Sequence, residues 1–463
     1  MNATRGARIA LVSSAFSVLT LGLVAAGPPA PSGALGAGGN WTVYHHDPAG
    51  RGVAGPINLS RAHQAWISPT LDGELYGEPL VIGSTVVVAT ENDTVYALSA
   101  KTGRVRWSTH VATPVSSSSL PCGDIAPTVG ITSTPVIDPA RHEVFVVADE
   151  AGSGAPVHQL VGLGLASGKV VLRQDVDPPG INTAATLQRV ALTIDDGHVV
   201  FGYGGNYGDC STYHGWVISV PEAGGAPGTY EVDPARGDDQ GAVWMGGAAP
   251  VVDAQGNVWV GIGNGSVRSD GRSYDGSDSV VELSASLKLL QYFAPTDWAA
   301  DNANDRDLGS GAPALLADGL VVQAGKSETA YLLAQGKLGG IGGQLATLNP
   351  FCGTNVAGGN AVVGDVVYLP CQSGVVAVRV HASPPSFRVL WQATGAGGPP
   401  IVAGGLVWAM SRTGTLEALN PSSGAIVQQF SLGPIANHFP TPSAGAGRLL
   451  APGLDRVYAF ARG

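Results

Sequence analysis

The eleven residues 297–307, DWAADNANDRD, carry four Asp and two Asn. Hard oxygen donors at that density suit a cation, which prefers carboxylate and amide oxygens. The same stretch also reads as a solvated acidic loop. A second candidate is GYGGNYGDCSTYHGW at 202–216, preceded by QRVAL at 188–192. Its glycines would let the backbone come close to a ligand. Arg189, Asp209 and His214 add charged and polar groups there. The alternative is an ordered loop stapled through Cys210. His45, His46 and Asp47 also cluster, and read as loop residues near a point of ring closure more readily than as ligands.

These residues must be positioned by a repeated element. The copy at 95–107 is VYALSAKTGRVRW, and a late copy at 416–430 is LEALNPSSGAIVQQF. Each reads as strand, tight Thr/Ser-Gly turn, strand, then an aromatic or apolar plug. Eight such units centre on Leu98, Leu163, Ile218, Leu283, Leu332, Val378, Leu419 and Ala459, spaced 40 to 65 residues apart. That spacing suits four-stranded propeller blades. The longer early steps predict loop insertions over blades two to four, where arrays usually place their binding surface. Hairpin grammar precedes most units, as in PLVIGSTVVVA at 79–89. The expected fold is all-β: one eight-bladed β-propeller over 41–463. The last unit ends three residues from the C-terminus. An N-terminal segment must therefore complete the final blade, with 41–44 and 64–67 as candidates. Closing the ring in this way removes exposed sheet edges.

Composition sets further bounds. Glycine is 67 of 463 residues and proline 32, as a turn-rich β chain requires. Net charge is −11 with no basic stripe, so nucleic acid is not an expected partner. Residues 1–26 read as a secretory signal, with Arg5 and Arg8, an apolar run at 9–26 and small residues at 24–26. A Gly/Pro/Ala-rich spacer covers 27–40. The expectation is a secreted or periplasmic protein with no transmembrane domain after cleavage. Cys122, Cys210, Cys352 and Cys371 form an even set that fits two disulfides in an exported chain. Proximity favours Cys352–Cys371 and, by remainder, Cys122–Cys210.

The ALSAKTGRVRW stretch at 97–107 resembles the tryptophan-docking repeat of the pyrroloquinoline-quinone (PQQ)-like propellers, the quinoprotein alcohol dehydrogenase-like superfamily. That resemblance implies a Trp that packs against the neighbouring blade. It also implies a site holding PQQ and calcium, where an Asp takes the alcohol proton while the cofactor carries the redox step. On this pattern VWVGIGNG at 258–265 makes Asn264 the metal ligand. DLGSGAPALL at 307–316 makes Asp307 the catalytic base, with Asp305 second. QAGKS at 323–327 makes Lys326 the cation that contacts the quinone. Trp244, in VWMGG at 243–247, is the nearest candidate for the floor of the site, although it is out of register. Arg189 and Asp209 are further candidates for cofactor binding. The pattern is incomplete: Glu78 is displaced relative to the family's calcium-binding Glu. Cys122 stands where the family has a Cys pair, and the Arg that follows the pair is missing.

Three functions follow from these residues. One is a propeller binding PQQ or a related ligand at its central face, with alcohol dehydrogenase activity. Another is a non-catalytic scaffold with a protein partner on that face, since the same repeat builds both. The third is a binder of cell-wall or polymeric material.

Overall fold

The computed structural model describes Met1 and residues 39–232, 238–267, 273–436 and 438–463. The signal peptide and nearly all of the spacer expected at 1–40 lie outside the described residues. Among the described residues from 62 onward, the strands group into eight blade sheets, six of four strands and two of five, with one further two-stranded sheet between blades 1 and 2. Blades 1 to 7 cover 80–110, 136–175, 193–231, 251–294, 314–348, 361–392 and 401–431. Blade 8 takes three strands from 443–462 and its outermost strand, Ala62–Ile67, from near the other end of the chain. That strand pairs antiparallel with Val457–Arg462, from Ala62 opposite Arg462 to Ile67 opposite Tyr458. Among the described residues no helix is long and apolar enough to cross a membrane.

Antiparallel order within a blade fixes which loops share a face. The loops entering each innermost strand lie at the same end as those joining the second and third strands. This end is called the entry face, and the opposite end, with the tight turns, the hairpin face. The innermost strands are short and largely buried. The second and third strands are almost continuously apolar, as in VFVVA at 144–148 and VWVGI at 258–262. They pack between neighbouring blades, so both of their faces are buried.

The tryptophans of the repeat clasp one blade to the next. Trp66, on the closing strand, donates its indole N–H to Ala100 O at 2.9 Å. Trp107 does the same to Leu165 O at 2.9 Å, and Trp391 to Pro421 O at 2.8 Å. Each ring lies against the glycine of the next blade's Thr/Ser-Gly turn. A methyl group at Gly424 would sit 2.6 Å from the Trp391 ring, and φ there is +69°. Gly424→Ala is therefore expected to cost about 2–4 kcal/mol, combining overpacking with an unfavourable left-handed backbone. Urea denaturation measures this, and an unchanged midpoint would contradict the clasp.

The 41–44 segment does not help to complete blade 8. It runs into the central channel. Trp41 pairs with Val81 of blade 1. Thr42 O then accepts from Ile137 N of blade 2, Pro48 O from Val252 N of blade 4, and Arg51 O from Val362 N of blade 6. Gly52 O accepts from Val402 N of blade 7, and Gly39 O from Ala446 N in the turn of blade 8. Residues 39–54 thus bond to the innermost hairpins of six blades. Contacts with the blade 8 turn at Ala446 place the entry of this segment at the hairpin face. Its tip reaches towards the entry face, where Gly359 N donates to Tyr44 Oη at 3.1 Å. Glu78, buried at the mouth of blade 1, accepts His45 N at 2.9 Å. His45 itself is fully buried, and burial lowers its pKa to about 4. The ring is therefore closed twice, by a strand at its rim and by a plug in its channel.

Both disulfides form the expected pairs, Cys122–Cys210 across 88 residues and Cys352–Cys371 across 19. The first ties the loop between blades 1 and 2 to an insertion of blade 3. The second sits where the chain passes from blade 5 into blade 6.

Candidate functional site

The ends of two second strands and one entry loop meet on the entry face. Val258–Ile262 delivers Asn264, Leu320–Ala324 delivers Lys326, and the connection from blade 4 to blade 5 delivers Asp307. The Asp307 carboxylate accepts Asn264 N at 2.6 Å and lies 2.6 Å from Lys326 Nζ. Its backbone carbonyl accepts Lys326 N at 2.9 Å. Asp305 lies 2.8 Å from the same ammonium and accepts Asn264 Nδ2 at 3.1 Å. Lys326 Nζ stands 5.4 Å from the centre of the Trp244 ring. Trp244 also meets Phe439, from the loop entering blade 8, at 6.0 Å. Gly263 permits this packing, because a methyl group there would lie 3.1 Å from Trp244 Nε1 and would overlap the Asp307 carboxylate.

Two acids against one cation leave the cluster one negative charge. Burial works against the Lys326 ammonium, but Asp307 and Asp305 outweigh it and hold its pKa above the ordinary lysine value. Burial raises the Asp307 carboxyl, opposed by Lys326 and the Asn264 amide. Asn264 Oδ1 is buried without a hydrogen-bond partner among the described residues.

Arg189 and Asp209 keep other company. The Arg189 guanidinium lies 5.7 Å from the Tyr76 ring and packs beneath Gly247. Burial lowers its pKa, while Tyr76 and Glu91 pull it upward. Asp209 is exposed on the insertion of blade 3, next to Cys210, and accepts Tyr213 Oη at 2.7 Å. The acidic run at 297–307 divides in two. Asp305 and Asp307 face Lys326, whereas Asn302 joins the end of the second strand of blade 4 to Ser277 by bonding Gly265 N, Val267 O and Ser277. Among the described residues no three His, Cys, Asp or Glu side chains converge as a metal site.

A set of buried acids lines the entry ends of blades 1 and 2. Burial raises the Glu91 carboxyl to about 8, and burial with Asp149 and Glu91 raises Asp93 to about 9. Burial raises Asp149 to about 7. Neither Asp93 oxygen has a partner among the described residues. The sequence signal for Asp93 is weak: it is one turn residue in TENDT at 90–94.

The mouth of the channel holds residues that the repeat pattern did not single out. His438 lies 3.5 Å from Asp124, pairing the loop before blade 8 with the loop before blade 2. Phe439 reaches Trp244 from that same loop. Both precede the short strand Ser443–Gly445, in a stretch without repeat features.

The family model described as outer membrane protein assembly factor BamB matches residues 41–206. Quinohemoprotein alcohol dehydrogenase from Comamonas testosteroni superposes with a TM-score of 0.65 at 18% identity, covering 91% of this chain and 80% of that one. Quinohemoprotein alcohol dehydrogenase ADHIIG from Pseudomonas putida HK5 gives 0.68 at 14% identity, covering 92% and 80%. BamB from Moraxella catarrhalis gives 0.56 at 14% identity, covering 86% and 99%. No curated protein matches the sequence. At these identities the structural likeness speaks for the fold alone. The repeats matched at 41–206 resemble those of PQQ-like propellers, and the fold is an eight-bladed β-propeller closed by strand and plug.

Proposed function

We propose that this propeller is an extracytoplasmic binding module and not a quinone-dependent oxidoreductase. The observation that carries this reading is the filled channel: residues 39–54 bond to the innermost hairpins of six blades. A ligand or protein partner would then approach from the entry face. Two disulfides support maturation in an oxidising compartment.

The residues do not fit calcium and PQQ. Calcium takes six to eight oxygens. Around Asp307 the buried oxygens without a partner among the described residues include Asn264 Oδ1 and Asp278 Oδ2, far short of that number. Asp307 and Asp305 are committed to Lys326, and Glu78 Oε2 to the plug. PQQ is a planar tricarboxylate, and it would meet a cluster that already carries excess negative charge. Trp244 already has Lys326 and Phe439 as neighbours.

The second reading, a PQQ-dependent alcohol dehydrogenase, is favoured by one observation. Asn264, Asp307, Lys326 and Trp244 lie within contact of one another. Calcium and PQQ added together to the purified protein separate the two. A native-state ligand at a hundred times its Kd stabilises by about 2.7 kcal/mol, or several degrees in Tm. The binding-module reading expects an unchanged melt and an unchanged quinone spectrum. A shifted melt with a perturbed spectrum would replace it with the dehydrogenase.

A further inference from the structure

The loop between blades 1 and 2 crosses the entry face, and its returning limb, 128–132, lies on a bed of acids. Glu91 Oε2 accepts Gly130 N at 2.8 Å and Thr132 Oγ1 at 3.0 Å, and Glu91 O accepts Thr128 Oγ1 at 2.9 Å. From blade 2, Asp149 N donates to Gly130 O at 3.3 Å. A methyl group at Gly130 would stand 2.6 Å from Glu91 O and 2.8 Å from Asp93 Oδ1, so the limb rests directly on both residues. We infer that this limb is a proton-operated latch, closed while Asp93 is neutral and loosened when Asp93 and its acidic neighbours ionise. The movement itself is independent of the binding-module reading; that it regulates access to the entry face rests on that reading.

Geometry singles out Asp93. It is fully buried, and neither of its carboxyl oxygens has a partner among the described residues. Glu91 Oε1 and Asp149 Oδ1, also buried, lack partners there too. The charged groups around Asp93 are Glu91 on its own turn, Asp149 and Glu150 on the second strand of blade 2, and Arg173 on the outermost strand of that blade. Arg173 is engaged by Glu150, 3.2 Å away, and by Val111 O, which leaves Asp93 without a bonded cation. Glu91 faces Arg189, Tyr76 and Asp149. Asp149 faces His158, Asp177 and Tyr203. His158 lies 2.6 Å from Asp177 and only 4.0 Å from Asp149, so its ring serves Asp177 first. A buried carboxylate with neither cation nor donor is so costly that the group keeps its proton instead. Burial accordingly raises Asp149 to about 7 and Glu91 to about 8, and burial with Asp149 and Glu91 raises Asp93 to about 9. Lifting the limb brings water to these carboxyls, so ionisation and release are linked. With raised values in the closed state, closure is favoured at acid pH and weakens as pH rises through 7 to 9. The tip of the loop is held elsewhere, by Cys122–Cys210 and by Asp124 beside His438. Release therefore frees the base of the loop while its tip stays pinned to the insertion of blade 3.

The test is amide hydrogen exchange of the full-length protein, disulfides intact, at about pH 6 and pH 9, with rates corrected for base catalysis of exchange itself. Protection of the Gly130 and Ile131 amides, which donate to Glu91 Oε2 and Thr90 O, should fall about tenfold or more between the two. Urea well short of unfolding should leave that exchange unchanged, because a local opening exposes little surface. Exchange in the blade 6 strand Gly374–Ala382 should respond to it. Asp93→Asn should reduce the pH effect to about threefold or less. Glu91→Gln, which keeps an acceptor for Gly130 N, should blunt it in part. The inference is overturned if protection of Gly130 and Ile131 is the same at both pH values, if their exchange follows urea like the blade 6 strand, or if Asp93→Asn leaves the pH effect whole. Should Asp93→Asn fail to fold, Glu91→Gln decides, and an undiminished pH effect in it overturns the latch. A melt shifted by calcium and PQQ would instead remove the binding-module reading and leave the latch to stand or fall on these exchange rates.

Discussion

Replacing Lys326 with methionine should destabilise the protein by about 3–5 kcal/mol at pH 7. The lysine side chain is 19% exposed and that of its partner Asp307 is 8% exposed. Without the ammonium, Asp307 keeps a buried charge held only by the Asn264 amide, with Asp305 nearby. Burial already raises the Asp307 pKa, and losing the cation raises it further. A carboxyl whose folded pKa is raised contributes stability below its unfolded pKa, and that contribution is lost as pH rises through the folded value. The Lys326→Met penalty should therefore shrink between pH 7 and pH 5. Adding Asp307→Asn should recover part of it at pH 7. Urea denaturation of the parent and both variants at the two pH values measures this. A Lys326→Met variant within about 0.5 kcal/mol of the parent would show the pair to be screened like a surface ion pair.

The second large effect is on the pH dependence of the whole fold. Burial raises Asp149 to about 7, Glu91 to about 8 and Asp93 to about 9. Their stabilising contributions are present at acid pH and are lost as pH rises through 7 to 9. His158, raised by Asp149 and Asp177 against its burial, acts in the same direction. His45 acts the other way: its pKa is lowered to about 4, so its contribution is lost as pH falls from 6.5. The melting temperature should therefore climb by roughly 5 °C or more between pH 9 and pH 5.5, with His45 slowing the gain below pH 6.5. Asp93→Asn should flatten the alkaline limb, because Asp93 has the highest pKa of the three. A melting temperature that rises towards pH 9 would contradict this assignment.

Much of the ring could be read from the chain because its signals are local. The Thr/Ser-Gly turns, the alternation of apolar runs with Asp/Gly turns and the Trp at the end of the unit each concern a few neighbouring residues. Closure by Gln64–Ile67 followed from counting strands, since the last unit lacked a partner. The destination of 41–44 was not legible. Its bonds to six blades are backbone bonds to residues between 40 (Trp41 to Val81) and 407 (Gly39 to Ala446) positions away, and they leave no mark on side-chain type. The same limit hid Phe439 and the His438–Asp124 pair. The meeting of Asn264, Asp307 and Lys326 is a different case. They sit at equivalent points of adjacent blades, two ends of second strands and one entry loop, so their places in the repeat already put them on one face. Arg189 and Asp209 share a stretch of sequence but not a contact set, because one faces the buried interior and the other stands on an insertion.

A channel occupied by the protein's own residues 39–54 separates a binding module from a cofactor enzyme. Amide hydrogen exchange on this segment tests that directly, alone and with excess calcium and PQQ. Trp41, His45 and Gly52 donate backbone N–H bonds to Val81 O, the Glu78 carboxylate and His45 O. Their exchange should be as slow as that of the central strands of blades 1 and 7, and the two additives should not change it. Rapid exchange at these amides, or their release when calcium and PQQ are added, would contradict a filled channel and restore the case for a cofactor site.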